Sequence, residues 1–149
     1  MEELYRVLAE LQANSAALNA QAWGYHWNTE GRMFKQDHAF LLEMYEDFGD
    51  AIDPFAENIR KIGYKAPFGL KQLLANSTID VNDSHDLTST QMFTELLKTN
   101  AQVIAQLKAG IKVAETANED AISNFMQDRL GQHQFWNWQL TATLKSTIM

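Results

Sequence analysis

The chain turns back on itself within residues 25–45, which read YHWNTEGRMFKQDHAFLLEMY. Before this stretch, apolar residues recur at spacings of three and four, which is the pattern of an amphipathic helix with one buried face. The tetrapeptide Asn28-Thr29-Glu30-Gly31 interrupts the pattern, and a second pattern of the same kind starts at Phe34. The sequence therefore predicts two long helices joined by a short turn.

Four long helices are predicted in all, and their apolar stripes define the expected core. Thr88 with Gln91 has the spacing of a capping box and should start the third helix, and Asn118 should cap the fourth. The stripes are Leu4, Leu8, Leu11, Ser15, Leu18, Ala22 and Tyr25; then Phe34, His38, Leu41, Tyr45, Phe48, Ile52, Phe55, Ile59 and Ile62, with a stop at Gly63; then Phe93, Leu97, Ile104, Leu107, Ile111 and Ala114; and finally Ile122, Met126, His133 as a structural residue, Trp136, Leu140 and Leu144.

Residues 64–88 lose the long helical period. Pro67 introduces a short helix over Phe68–Ala75, and a polar loop containing a solvated His85 follows. A connection of about 25 residues can run the length of a bundle, so the second and third helices can point the same way. The predicted fold is all-α: a ferritin-like four-helix bundle with one long crossover containing a short helix, in a single domain over residues 1–149.

Composition excludes several classes of function. The 149 residues are 46% hydrophobic, enough for one core, and they include no cysteine, which excludes disulfides, thiolate metal sites and thiol catalysis. Residues 1–5 lack the features of a secretory signal and no apolar run approaches a membrane span, so we expect a cytoplasmic protein without a membrane partner. The net charge of −7 disfavours non-specific binding to nucleic acid and favours cations, although solubility alone is the simpler explanation.

Four side chains could bind a metal ion: His26, His38, Asp53 and Glu57. His38 and Asp53 are expected on one helix, where 15 residues correspond to about 22 Å. Metal–ligand bonds are about 2 Å long, so the four cannot meet within one subunit. Either the set is a coincidence, or two copies pair antiparallel and each completes the other's site.

Each half of this set has an alternative explanation. Asp53 and Glu57 share one helix face, but Asp53-Pro54 could also be an N-cap followed by a restarted helix, and the pair alone favours that interpretation. If the helix continues, Pro54 should bend it. A single histidine on an apolar stripe is usually a core residue, whereas two at facing positions of a hairpin favour metal ligands. No histidine follows a glutamate by three residues, so the centre inside a ferritin subunit is not predicted.

Taken together, these residues resemble the Dps family, the ferritin-like DNA-binding proteins from starved cells. The resemblance covers nearly the whole chain, and its most specific part is the spacing of histidines and carboxylates. It is carried by His26-Trp27-Asn28, His38, Tyr45, Asp53, Glu57, Ile62-Gly63, the segment Pro67–Ala75, His133-Gln134 and Trp138.

The resemblance implies a hollow homododecamer with ferroxidase centres at its dimer interfaces. Each centre would combine His26 and His38 of one subunit with Asp53 and Glu57 of its partner, bind Fe²⁺, and oxidise it, preferably with hydrogen peroxide. The ferric product would be stored as mineral inside the shell. Trp27 matches a tryptophan beside the family's centre that takes up a stray oxidising equivalent, although aromatic packing at the dimer contact explains it equally well.

Several positions depart from the family pattern. Leu42 stands where family members often have a further carboxylate, with Glu43 beside it, which leaves open whether one or two irons bind. Residues 144–149 include one basic residue, Lys145, so direct DNA binding at neutral pH is not expected. The acidic residues at the junction of the third and fourth helices resemble the family's three-fold pores, and they also suit a helix N-terminus. These residues are Glu115, Glu119 and Asp120.

Two other functions compete with iron oxidation. One is a non-enzymatic, DNA-compacting or shell-forming protein of the Dps type whose metal site is weakened by Leu42 and Pro54. The other is an ordinary helical-bundle interaction protein in which the four ligands are coincidental.

Overall fold

The computed structural model describes residues 1–145 and consists of helices joined by turns and one long crossover. Across that range it contains five helices and no strand. The helices are α1 (Glu2–Asn28), α2 (Phe34–Lys61), α3 (Leu70–Asn76), α4 (Ser89–Thr116) and α5 (Asp120–Thr143). The predicted all-α bundle with a short helix in its crossover is confirmed.

The crossover runs alongside α1 from its first half to its end. Asn14 Oδ1 accepts hydrogen bonds from the Thr78 backbone N–H at 2.9 Å and from Ser77 Oγ at 3.0 Å. Three further contacts follow the same order along both segments: Gln12 Nε2 to Pro67 O, Tyr25 Oη to Asn82 O, and Thr29 Oγ1 with Ser89 Oγ. Helix α4 therefore starts where α1 ends, and it runs parallel to α2 as predicted.

The buried faces agree best with the predicted stripes of α1 and α5. All seven residues of the α1 stripe are buried, and so are Ile122, Met126, His133, Trp136 and Leu140 of α5. On α2 four stripe residues are buried: Leu41, Phe48, Phe55 and Ile59. Tyr45 and Ile52 between them are only half-buried, and Phe34 at the start is 38% exposed.

The predicted stripe of α4 is only partly confirmed, because Phe93, Leu107 and Ala114 are buried and its other three residues are not. Leu97, Ile104 and Ile111 are only half-buried. The core instead contains Leu96, Val103 and Gly110, together with the polar residues Thr99 and Asn100. An apolar pattern cannot mark a face that carries buried polar residues, and this explains the error.

Two helix ends confirm the prediction. The Thr88–Gln91 capping box is formed, with Gln91 N donating to Thr88 Oγ1 at 3.2 Å and Thr88 N donating to Gln91 Oε1 at 2.8 Å. Gly63, with φ +95°, follows Ile62, the C-cap residue of α2. Its left-handed conformation favours glycine at such a stop.

Two other helix boundaries differ from the prediction. Helix α3 begins at Leu70 and not at Phe68, because Gly69 precedes it with φ +84°. Asn118 does not cap the last helix; it has φ +59°, and the next residue, Glu119, is the N-cap of α5. Glu119 N donates back to Ala114 O at 2.9 Å, so Asn118 forms the closing turn of α4.

Two further predictions concern a membrane span and the C-terminal segment. No helix within residues 1–145 is long and apolar enough to cross a membrane. The segment considered for DNA contact lies outside the described residues from position 146 onward.

Two helical glycines provide a test of how closely the helices pack. A Cβ at Gly110 would lie 2.8 Å from Val7 Cγ1 and 3.0 Å from Met126 Sδ, whereas a Cβ at Gly131 would meet nothing within 4 Å. Overpacking costs about 1–3 kcal/mol, and alanine gains up to about 1 kcal/mol in helix propensity over glycine. We expect Gly110→Ala to lower the free energy of unfolding by about 1–2 kcal/mol, and Gly131→Ala to raise it. Urea denaturation at one protein concentration measures both changes. Equal changes of the same sign would contradict the close approach at Gly110.

Candidate metal centre

His26 and His38 form a reciprocal pair that joins the end of α1 to the beginning of α2. His26 Nδ1 lies 2.7 Å from the carbonyl oxygen of His38, and His38 Nδ1 lies 2.6 Å from the carbonyl oxygen of His26. The two imidazole rings stack with centroids 3.6 Å apart and planes 13° from parallel. The antiparallel hairpin thus brings both histidines together, as the sequence predicted for the end of the hairpin.

This arrangement sets the tautomer of both rings. A carbonyl oxygen can only accept a hydrogen bond, so each Nδ1 carries the proton and donates it. In a neutral imidazole the other nitrogen, Nε2, then holds a lone pair. Within residues 1–145 no hydrogen bond reaches either Nε2. A carbonyl that accepts from one ring nitrogen while the other remains free is the usual support of a metal-binding histidine.

An aromatic patch, defined here as Trp23, Trp27, Phe34 and Tyr45, surrounds the histidines. Phe34 stacks on His38 at 4.8 Å between ring centroids, and Tyr45 lies 5.4 Å from His26. Trp27 is 60% exposed and Trp23 is 43% exposed. Large exposed aromatic groups next to polar ligands mark a surface that binds a partner.

Asp53 and Glu57 lie on the solvent side of α2, and both are exposed. Helix α2 is continuous through Pro54, so the interpretation of Asp53-Pro54 as the start of a new helix is wrong. The side chain of Asn58 donates from Nδ2 to the carbonyl oxygen of Pro54 at 2.9 Å, which adds a hydrogen bond just after the position where proline removes one.

The four predicted ligands form two separate groups within the subunit. His38 and Asp53 are 15 residues apart on one unbroken helix, which corresponds to about 22 Å. In the part of the chain that the structure describes, no three His, Asp or Glu side chains are arranged to hold one ion. Leu42, one turn after His38, is half-buried and offers no ligand atom.

The predicted pore residues lie at the junction of α4 and α5. Glu119 is the N-cap of α5 and Asp120 is in its first turn, where negative charge is favoured. Their role in a pore remains a prediction, as does that of Glu115.

Sequence analysis did not predict a polar network that joins α2 to α5. On α2 it is centred on Asp47, which lies between His38 and Asp53. Arg129 of α5 donates to both oxygens of Asp47, at 2.8 and 2.9 Å, and Trp136 Nε1 donates to the same carboxylate at 2.7 Å. Arg129 Nη2 also lies 3.0 Å from His133 Nε2, and His133 Nδ1 lies 2.8 Å from Asn100 Oδ1. The apolar stripe of the last helix predicts that His133 and Trp136 are buried, and they are. It gives no sign of Asp47, Arg129 and Asn100, because single polar residues at scattered positions follow no period.

Burial and charge set the protonation of this network. Burial lowers the pKa of His133, and the positive charge of Arg129 lowers it further. The negative charge of Asp47 acts in the opposite direction, and the resulting pKa of His133 is about 3. Burial alone would raise the pKa of Asp47, but the hydrogen bonds and charge of Arg129, with help from Trp136, hold it below its usual value. The neutral His133 therefore donates from Nδ1 to Asn100 and accepts from Arg129 at Nε2.

Comparison with known proteins assigns the fold to a family. A family model described as a ferritin-like domain matches residues 6–148. The chain belongs to the ferritin-like family. The resemblance to the Dps family is also confirmed.

The relatives of this ferritin-like chain include several Dps proteins. DNA protection during starvation protein 2 of Bacillus anthracis is 24% identical over 143 residues, covering 96% of this chain and 97% of that protein. Dps from Staphylococcus aureus superposes with a TM-score of 0.94 at 21% identity and covers 99% and 98% of the two chains. Dps from Vibrio cholerae O1, described as a member of a broad superfamily of ferritin-like diiron-carboxylate proteins, superposes with a TM-score of 0.91 at 24% identity and covers 97% and 90%.

The buried His133 of this ferritin-like chain should make its stability depend on pH. The pKa is 6.5 for an ordinary histidine and about 3 in the folded state, so the unfolded chain takes up the proton first as the pH falls. Stability is therefore full above about pH 6.5 and decreases below it, by up to about 1.4 kcal/mol per pH unit.

We expect the His133→Asn variant, which keeps a donor for Asn100, to lack this contribution between about pH 6 and pH 4. The exposed His85 provides a control, since His85→Asn should retain the wild-type slope. Denaturant unfolding across this pH range measures all three proteins. Parallel slopes for wild type and His133→Asn would contradict the assignment.

Proposed function

We propose that this protein is an iron-oxidising and iron-storing mini-ferritin with a composite ferroxidase centre between two subunits. In this proposal Fe²⁺ binds between His26 and His38 of one subunit and Asp53 and Glu57 of the partner subunit. It is oxidised there, preferably by hydrogen peroxide, and the ferric product is stored as mineral in a hollow dodecamer of about 200 kDa. The observation that carries the proposal is the reciprocal histidine pair, which leaves two Nε2 atoms free.

The separation of the two histidines from the two carboxylates on each subunit supports a two-fold arrangement. The subunit presents two imidazoles at one place and two carboxylates about 22 Å away on the same helix. In an isologous dimer each patch of one subunit meets a different patch of the other, and the contact occurs twice. One such contact would therefore create two equivalent centres. The exposed tryptophans beside the histidines supply apolar surface for the same interface.

The chemistry of the ligands suits ferrous iron as a substrate. Two imidazole nitrogens and two carboxylates are ligands that Fe²⁺ accepts, and this small set leaves coordination positions open for the oxidant. The two carboxylates balance the charge of the incoming cation. Oxidation at a fixed place keeps peroxide from reacting with free Fe²⁺, so protection against oxidative damage follows from the same site. Membership of the ferritin-like family and the description of the Vibrio cholerae relative support an iron-related role in general terms.

A shell-forming protein without ferroxidase activity is the second candidate. Leu42 favours it, because a leucine one turn after His38 leaves the centre without a further carboxylate. The negative net charge of the chain does not favour DNA compaction by direct contact. Iron oxidation by the purified oligomer separates the two candidates.

Mixed oligomers test the composite centre directly. The variant His26→Ala/His38→Ala and the variant Asp53→Asn/Glu57→Gln should each lose peroxide-driven Fe²⁺ oxidation. In a dimer of the two variants one centre has lost both halves, while the other is intact. Equal, random co-assembly makes half of the dimers mixed, so about a quarter of the wild-type activity should return.

The measurement is the initial rate of Fe²⁺ oxidation by hydrogen peroxide in size-purified, co-expressed oligomers. The unmixed variants and a mixture of separately assembled oligomers serve as controls and should remain inactive. Full-size mixed oligomers without any recovered activity would contradict a centre shared between subunits.

A further inference from the structure

We propose that the guanidinium of Arg129 is a built-in cation that keeps divalent metal ions out of the interior of this bundle. Without it, Asp47 of α2 and His133 of α5 would form a metal site inside one subunit. These residues are not part of the proposed ferroxidase centre, and the test of their role does not depend on that centre.

Arg129 connects two side chains whose atoms are typical metal ligands. Its Nη2 atom lies 2.9 Å from Asp47 Oδ2 and 3.0 Å from His133 Nε2. A carboxylate oxygen and an imidazole nitrogen thus meet at one positively charged nitrogen. Metal–ligand bonds to such atoms are about 2.0–2.2 Å long, so an ion that replaced Nη2 would require each ligand to move inward by about 1 Å.

His133 is held in the way that metal-binding histidines are held. Its Nδ1 donates to Asn100 Oδ1 at 2.8 Å, which leaves the lone pair on Nε2. The amide of Asn100 is fixed in turn, because its Nδ2 donates to the carbonyl oxygen of His133 at 2.8 Å. The ring also stacks on Phe48, with centroids 5.6 Å apart and planes 10° from parallel. The tautomer and the orientation of this imidazole are therefore set independently of any metal ion.

The charge of Arg129 opposes a second cation at this place. Its two hydrogen bonds to Asp47 balance the negative charge of the carboxylate, and an arginine side chain stays protonated in proteins. Burial lowers the pKa of His133, and the charge of Arg129 lowers it further because it repels a proton at Nε2. A divalent ion at Nε2 would meet the same repulsion with twice the charge.

The position of this pair in the fold gives the exclusion its importance. In ferritin-like di-iron proteins the metal ligands project inward from facing helices of the bundle. Here Asp47 and His133 come from two different helices and meet at Arg129. The loss of one side chain would leave a carboxylate and an imidazole facing each other without a cation. Arg129 therefore restricts metal binding to groups at the surface of the subunit.

A second group of buried polar side chains provides a contrast. Thr99 Oγ1 donates to Gln21 Oε1 at 2.8 Å, and Gln21 Nε2 donates to Tyr25 Oη at 3.3 Å. These three side chains are neutral, and none of them has a carboxylate or an imidazole. Removing a residue from this group would open space without creating a metal site.

The test starts from a parent protein that lacks the proposed surface ligands, with the substitutions His26→Ala, His38→Ala, Asp53→Asn and Glu57→Gln. The probe is Co²⁺, which binds imidazole and carboxylate ligands, is stable in air and reports binding by its visible absorption. In size-purified oligomers, adding Arg129→Ala should produce a site for one Co²⁺ per subunit, with an affinity about tenfold or more above that of the parent. Arg129→Lys keeps the positive charge and should bind Co²⁺ no more tightly than the parent.

Two controls separate the effect of the ligands from that of empty space. Arg129→Ala/His133→Asn lacks the imidazole and should lose the gain in Co²⁺ affinity. Gln21→Ala opens space next to Tyr25 and Thr99 and should show no gain. Equal Co²⁺ affinities of folded, full-size Arg129→Ala and Arg129→Lys oligomers would refute the proposal.

A failure of Arg129→Ala to fold would be equally informative. This variant leaves the carboxylate of Asp47 without its ion pair, which destabilises the folded state. If the full chain unfolds, refolding with Co²⁺ should restore its helix content and oligomer size, and Arg129→Ala/His133→Asn should not recover. Recovery of both variants, or of neither, would rule out a site formed by Asp47 and His133.

Discussion

The paired hydrogen bonds between His26 and His38 connect the fold of this protein to its chemistry. Each imidazole donates to the other residue's backbone carbonyl, so the bonds can form only when α1 and α2 meet in the observed register. Hydrogen bonds of this kind contribute about 0.5–1.5 kcal/mol each, which helps to close the hairpin. The same bonds hold the protons on Nδ1 and direct chemistry to Nε2. Closure of the hairpin therefore also fixes the tautomer that the proposed metal site requires.

The rest of the bundle keeps α2 in place, and α2 carries three of the four proposed ligands. Pro54, between Asp53 and Glu57, removes one backbone hydrogen bond of this helix and thus weakens it next to the two proposed carboxylate ligands. The network of Asp47, Arg129 and Trp136 ties the same part of α2 to α5 with short hydrogen bonds. Sites need support of this kind, because a ligand that moves by about 1 Å loses most of its effect.

The sequence predicts the parts of this structure that depend on apolar periodicity or on local capping. The α1 stripe, the Thr88–Gln91 capping box and the Gly63 stop all depend on residues close in sequence, and they are confirmed. The face of α4 is only partly predicted, because Thr99 and Asn100 point inward, where they contact other helices. Asn118 is equally ambiguous, since an asparagine suits both the end of one helix and the start of the next. The two histidines could be paired from the hairpin pattern, but their tautomer depends on two backbone carbonyls that the sequence does not place.

The interior network also explains why the proposed metal site lies at the surface of this subunit. A carboxylate, an imidazole and an amide meet in the core, and such a set could bind a cation. Here Arg129 already supplies the positive charge, because it occupies both oxygens of Asp47 and donates to Nε2 of His133. The other nitrogen of His133 is held by Asn100. With these groups satisfied in this way, the imidazole nitrogens and carboxylates proposed to bind metal are those of His26, His38, Asp53 and Glu57, which are accessible at the surface.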